Sequence, residues 1–313
     1  MLLKQVIEVM DFLDDPSING QKVLDFMTDS DYIQTHTETI EGHKGTTDFI
    51  EIKISGKNGK LSGGTAPTIG VIGRLGGIGA RPSRIGYVSD GDGAAAAVAT
   101  AMKLSEMAQR GDRLEGDVII TTHICPHAPT QPHEPVDFMG SPVGMKTMNE
   151  YEVNQDCDAI LSIDTTKGNV LMNYKGIAIS PTVKSGYILP YAPDLVNILS
   201  ITTGEPARTF GISTQDITPY ENNLYHLNSI MQPATATDAP VVGVAITTTS
   251  AVPGSGTGAS HEVDVALAAT YAIEVAKSYT QGKINFFNQD EFDQLQSLYG
   301  SMEHLSGLGN KRD

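Results

Sequence analysis

Acid, imidazole and thiol side chains recur in this chain where an apolar run gives way to a loop. Asp90 and Asp92 stand in SDGDGAAAA, ahead of an alanine-rich run. The loop HICPHAPTQPHEP packs together His123, Cys125, His127, His133 and Glu134. Asp164 ends DAILSID, Asp238 follows MQPATAT, and His261 closes the glycine-rich run SAVPGSGTGASH. Aspartate, histidine and cysteine donors converging on one point are what a divalent metal ion requires. A three-residue set with nitrogen or sulfur among its donors suits zinc with an open fourth position. Taken singly, each residue has a plainer role: Asp90 as a helix N-cap, Asp164 as a turn former, Ser260 and His261 as the cap of the helix that follows.

Convergence requires that these residues lie at the same end of one sheet. LKQVIEVMDFLDD and GQKVLDFMTDSD have helical periodicity, DYIQTHTETI and DFIEIKIS alternate as strands do, and TIGVIGRLGG reads as a buried strand running into a glycine loop. Helix DGAAAAVATAMKLSEMAQRGD, strands GDVIITTHI and DAILSID, helix APDLVNILSITTGE, strand APVVGVAITTT and a long helix from Glu262 follow. This order predicts a three-layer α/β/α sandwich around a mostly parallel mixed sheet, with ligand sites at the carboxyl ends of the strands. Residues 1–313 read as a single domain, residues 1–45 supplying N-terminal helices and the first strand and 289–313 a polar tail.

With 313 residues, 40% of them hydrophobic, the chain can bury a large core. A net charge of −16 without a basic block excludes a phosphate-backbone partner, so no nucleic acid is expected. The N-terminal helix carries Glu8, Asp11, Asp14 and Asp15 and is a poor signal peptide. No apolar run is long enough for a membrane span, so the expected setting is cytoplasmic and away from membranes. Two cysteines, Cys125 and Cys157, are too few for a disulfide framework. A dinucleotide-binding reading of GVIGRLGGIGARPSRIG fails because Pro82 interrupts where a helix would have to begin.

The order strand, SDGDGAAAAVATAMKL, strand, SID, then VP and SHEVDVALAATYAIEVAK resembles the two-zinc aminopeptidases of the leucine and glutamyl aminopeptidase type, over about Thr68 to Lys277. The chain as a whole resembles more closely a set of bacterial proteins known as domain of unknown function 1177. The aminopeptidase resemblance implies a zinc-aminopeptidase-like fold, with Asp90 or Asp92 as a bridging carboxylate, Asp164 as a ligand of the second metal and His261 of the first. The segment ATDAPVVGVAITTTSAVP resembles the substrate side of the glutamyl branch and places Asp238 there.

Two parts of that pattern are missing. Arg74, Leu75 and Gly76 stand where the family has His-x-Asp, and HICPH stands where it has two glutamates. One zinc is therefore expected rather than two, held by Asp90, His261 and one of His123, Cys125 or His127. Water activation falls to His127, His133 or Glu134. Arg74, Arg81 and Arg84 in the glycine loop are expected to hold a substrate carboxylate. The implied activity is slow metal-assisted hydrolysis of a small peptide or amide. The alternative is an inactive relative that binds a peptide or carboxylate ligand. A homo-oligomer is compatible with the sequence, but no insertion between Gly79 and Asp90 provides a separate dimerisation domain.

Overall fold

The computed structural model describes residues 2–27, 30–134 and 137–307. Helices α1 (Leu3–Leu13) and α2 (Gly20–Asp25) lead into a long hairpin, β1 (Ile33–Gly42) and β2 (Gly45–Ile54). Strand β3 (Ile69–Gly73), helix α3 (Asp92–Gln109) and strand β4 (Val118–Ile124) follow. Next come a small hairpin, β5 (Thr130–Gln131) and β6 (Phe138–Met139), and helix α4 (Met145–Glu152). Strand β7 (Ala159–Thr165) precedes three short strands, β8 (Gly176–Ile179), β9 (Val183–Lys184) and β10 (Tyr187–Ile188), and helix α5 (Pro193–Thr203). Strand β11 (Val241–Thr247) and helices α6 (Glu262–Thr280) and α7 (Gln289–Tyr299) complete the main elements.

The main sheet runs β1-β2-β4-β3-β7-β11-β9-β10, with β8 also paired to β11. Its centre, β4-β3-β7-β11, is parallel, and the flanking pairs are antiparallel. The parallel strands are buried on both faces, which is why they read as continuous apolar runs. Within them, alternate residues take opposite sides. Val118 and Ile120, Leu161 and Ile163, Val242 and Val244 join α1, α3, α5 and α6 in one core, whereas Ile119, Ile160, Val241 and Ala245 face the second core beneath Val153, Ile230 and Met231. This is the predicted three-layer mixed α/β/α arrangement, its parallel part confined to the four central strands. Among the described residues no helix is long and apolar enough to cross a membrane.

The alanines of α3 let that helix lie close to the sheet, and glycines set how close. A Cβ on Gly93 would stand 1.8 Å from the Arg74 carbonyl oxygen and 2.6 Å from that of Ile163; one on Gly73 would stand 2.5 Å from the Gly93 carbonyl oxygen. The first turn of α3 thus rests directly on the carboxyl ends of β3 and β7, and it brings Asp90 and Asp92 to the end of β7 that carries Asp164. Gly93→Ala gains helix propensity but collides with backbone that cannot rotate away, so a net loss of about 1–3 kcal/mol is expected in denaturant unfolding. Gly211→Ala is the control: its Cβ meets nothing within 4 Å, and stability should stay within about 0.5 kcal/mol of the parent.

Candidate functional site

At the carboxyl end of the sheet, Asp90 lines a cleft, with Asp164 buried nearby. Asp90 lies in the tight turn Ser89–Gly91 just before α3, and Asp164 is the penultimate residue of β7. Asp164 is buried and held in place: its carboxylate accepts from the Ser229 hydroxyl at 2.9 Å and from the Thr165 amide at 2.7 Å. The glycine-rich loop ahead of α6 folds back over Asp90. The Asp90 amide donates to the Gly254 carbonyl at 3.0 Å, as does the Ser89 hydroxyl at 3.1 Å. A Cβ on Gly254 would lie 1.8 Å from Asp90 Oδ1, so glycine is what leaves room for this carboxylate. Two cavities meet at Asp90. One of about 190 Å³ includes Leu75, His123, Met145 and Tyr220 in its wall; the other, of about 250 Å³, includes His133, Pro253 and Gly254.

Burial pushes Asp90 up to about 7, and the neighbouring charges of Asp164 and Asp92 add to the rise against the pull of Lys167. Burial likewise pushes Asp164 up to about 6, opposed by the Ser229 and Thr165 hydrogen bonds and by Arg74. A raised carboxyl pKa means that the folded chain keeps protons the unfolded chain has released. This pair's contribution to stability therefore falls as pH rises from about 4 to 7 and is flat above. Asp90→Asn is expected to raise Tm at pH 8 and leave it unchanged at pH 4, where the carboxyl is already neutral. Calorimetric scans at the two pH values measure the difference.

Lys167, two residues beyond β7, is a member of this charged centre that sequence reasoning missed. Its ammonium donates to Asp92 Oδ2 at 3.2 Å and to the Ala259 carbonyl at 3.4 Å, while the Ser260 hydroxyl donates to Asp92 Oδ1 at 2.5 Å. Asp92 is completely buried and the Lys167 side chain is only 6% exposed. The TTKGN stretch offered one signal, a lone lysine following an aspartate-terminated strand. Lys167→Met should cost about 3–5 kcal/mol, because it leaves a buried carboxylate unpaired. The loss should shrink as pH falls and the orphaned carboxyl takes up a proton, and adding Asp92→Asn should restore part of it; urea titrations of the two variants test this.

Arg74 is not at the mouth of the cleft but fully enclosed. Its Nε pairs with Glu152 Oε2 at 2.6 Å, one terminal nitrogen donates to Asn149 Oδ1 at 2.6 Å and the other meets Met145 Sδ. Glu152 also receives His123 Nδ1, and His123 Nε2 accepts from the Gly76 amide at 3.1 Å. Both ring nitrogens of His123 are thereby used, and the ring is the Nδ1-protonated tautomer. Enclosed in this way, Arg74 is not placed to hold a substrate carboxylate as expected. Arg81 is spent on the Asp14 carbonyl, at 2.6 Å, and on the Asp14 carboxylate, and Arg84 pairs with Asp137. Asp238 is exposed ahead of β11, at the amino end of that strand and so opposite the cleft.

The other predicted donors also disperse. Cys125 donates to the Thr46 carbonyl, and burial pushes its thiol up to about 11, away from the thiolate form that a metal binds. His127 lines a separate cavity of about 660 Å³ against Thr46, Thr47 and Asp48. His133 faces the Asp90 cavity, and Glu134 is exposed on the same loop. His261 begins α6 without capping it through its side chain; it is near enough to Asp92 for its charge to favour the carboxylate. Among the described residues, no group of three or more His, Cys, Asp or Glu side chains stands close enough to hold a metal ion. The donors left at the centre are two carboxylates, with a lysine on a third. They do not fit the single zinc expected from the sequence.

The fold and cleft define an α/β/α protein with a carboxylate-centred pocket at the carboxyl edge of a parallel sheet. By its sequence, the chain belongs to the family described as protein of unknown function (DUF1177), whose profile matches residues 38–309. No curated protein sequence matches it significantly. Among solved structures it is similar to a mutant of tomato leucine aminopeptidase, with 13% identity and a TM-score of 0.49. That likeness covers 87% of this chain and 61% of the tomato protein's.

Proposed function

We propose that the protein hydrolyses a small peptide or amide bond in the Asp90 cleft, with Asp90 and Asp164 handling the protons. One observation supports this above all: Asp90, raised to about 7, lies where two cavities meet, and buried Asp164, itself raised to about 6, is near enough for its charge to add to that rise. Between those values the pair carries about one proton, so one member is a base while the other is an acid. The ionised member takes a proton from water as its oxygen adds to the amide carbon. The protonated member gives its proton to the departing nitrogen, and the C–N bond breaks. Ser229 holds Asp164 in one orientation by donating to it. No step of this sequence runs through a metal.

The sealing of Arg74 and His123 favours a second reading, in which the cleft binds a peptide-like ligand without cleaving it. A panel of aminoacyl amides, dipeptides and N-acyl amino acids, assayed with chelator and again with added zinc, cobalt or manganese, separates the two. Hydrolysis predicts turnover that survives the chelator, with kcat/KM greatest between about pH 6 and 7. Asp90→Asn and Asp164→Asn should each lower it by about 100-fold or more. If the panel shows no turnover, or turnover is unchanged in both variants, the hydrolytic reading falls, and calorimetric binding of the same compounds tests the second.

A further inference from the structure

A cavity of about 470 Å³ lies beside the Asp90 cleft, between α4, the stretch Pro219, Tyr220 and Glu221, and the 3-10 turn Ser229–Thr235. Met145 and Tyr220 belong to the walls of both spaces, so the two are separated by side chains alone. Its volume is within the range of small-molecule sites.

The polar groups deep in this cavity are already committed. Asn149 accepts from Arg74 and donates to the Gln232 carbonyl at 3.1 Å and the Thr235 hydroxyl at 3.2 Å. Gln232 donates to the carbonyls of Asp216 and Thr218 and accepts from the Tyr220 amide at 3.1 Å. What remains for a ligand is the apolar surface of Met145, Val153, Pro219 and Ala236 with the Tyr220 ring. The remaining charged and amide groups of the lining, Lys146, Glu150, Glu221 and Gln155, are exposed at the rim, where Lys146 and Glu150 pair at 3.8 Å. On the inner side, burial and the nearby charge of Asp164, to which the Ser229 hydroxyl donates, raise the pKa of the Tyr220 phenol. A group lodged against Tyr220 is therefore next to the carboxylate centre.

We propose that this cavity is the specificity pocket of the cleft and takes a bulky apolar group, aromatic or branched aliphatic, attached beside the amide that Asp90 and Asp164 address. The inference rests on the carboxylate cleft being the ligand site, but not on hydrolysis occurring there. The interior offers no free charge or unpaired amide to a polar group, and a polar group placed there would lose its water without compensation.

Isothermal calorimetry with N-acetylphenylalanine amide and N-acetylglycine amide tests it on the unaltered protein, with no turnover needed. The phenylalanine compound should bind at least about 10-fold more tightly. Ala236→Trp fills the pocket and should erase that preference by bringing the phenylalanine compound's affinity down to the glycine compound's. The chain has no tryptophan of its own, so the introduced indole reports by its fluorescence whether it is enclosed. Equal affinities for the two compounds, no binding of either, or a preference that persists in folded Ala236→Trp overturns the proposal; where that variant does not fold, the comparison on the unaltered protein decides. If the preference is found and the amide panel shows no turnover, only the hydrolytic reading is lost.

Discussion

The first turn of α3 rests on the ends of β3 and β7 at a separation that glycine alone permits, with Gly73 and Gly93 lying against backbone oxygens. A side chain at either position would lift the helix and open the site to water. With the helix seated, Asp90 and Asp92 are carried into protein surroundings near Asp164, where burial raises all three carboxyl pKa values and the charges of Asp164 and Asp92 raise that of Asp90 further. Close packing at this junction thus generates the electrostatic problem that the nearby residues answer. Lys167 neutralises Asp92, Ser229 and the Thr165 amide solvate Asp164, and Asp90 is left with burial and like charge as its main influences.

The second buried charge system follows the same logic on the other side of β3. Glu152 would be untenable alone beneath the sheet, and Arg74 would be too. Together with His123 and Asn149 they form a group in which most polar atoms have partners. Such an arrangement contributes little net stability over apolar packing, yet losing one member is costly, so it fixes geometry more than it adds energy. It anchors α4 to the ends of β3 and β4, and through Met145 it shapes the wall between the two cavities.

Much of the fold was legible because the parallel strands are apolar on both faces and the helices start and stop at recognisable residues; α3 and α5 end at Gly111 and Gly204, both with positive φ. The carboxyl-edge position of Asp90, Asp92 and Asp164 was legible for the same reason, since strand ends are visible in the sequence. Helix α4 was not, because MKTMNEYE is short and its apolar residues face a small pocket rather than the main core. Missing α4 meant missing Glu152, and without Glu152 both Arg74 and His123 looked free for ligands. Lys167 was overlooked because its role depends on the distance to Asp92 across the fold. Asp238 was misplaced for want of strand direction: it precedes β11, and only residues after a parallel strand reach the cleft.

A lysine on a buried aspartate has different consequences from a metal ion at the same place. The ammonium is tethered to the chain and arrives with folding, so its positive charge does not depend on the ion content of the medium. It carries one charge rather than two, donates hydrogen bonds in fixed number, and leaves no open coordination position at which water can be acidified. A cleft organised by Lys167 therefore favours the folded arrangement of Asp92 and Ser260 without itself producing hydroxide at neutral pH. In the proposed reaction that task moves to the neighbouring carboxyl pair, and their elevated pKa values provide the match to neutral pH that a Lewis acid would otherwise have supplied.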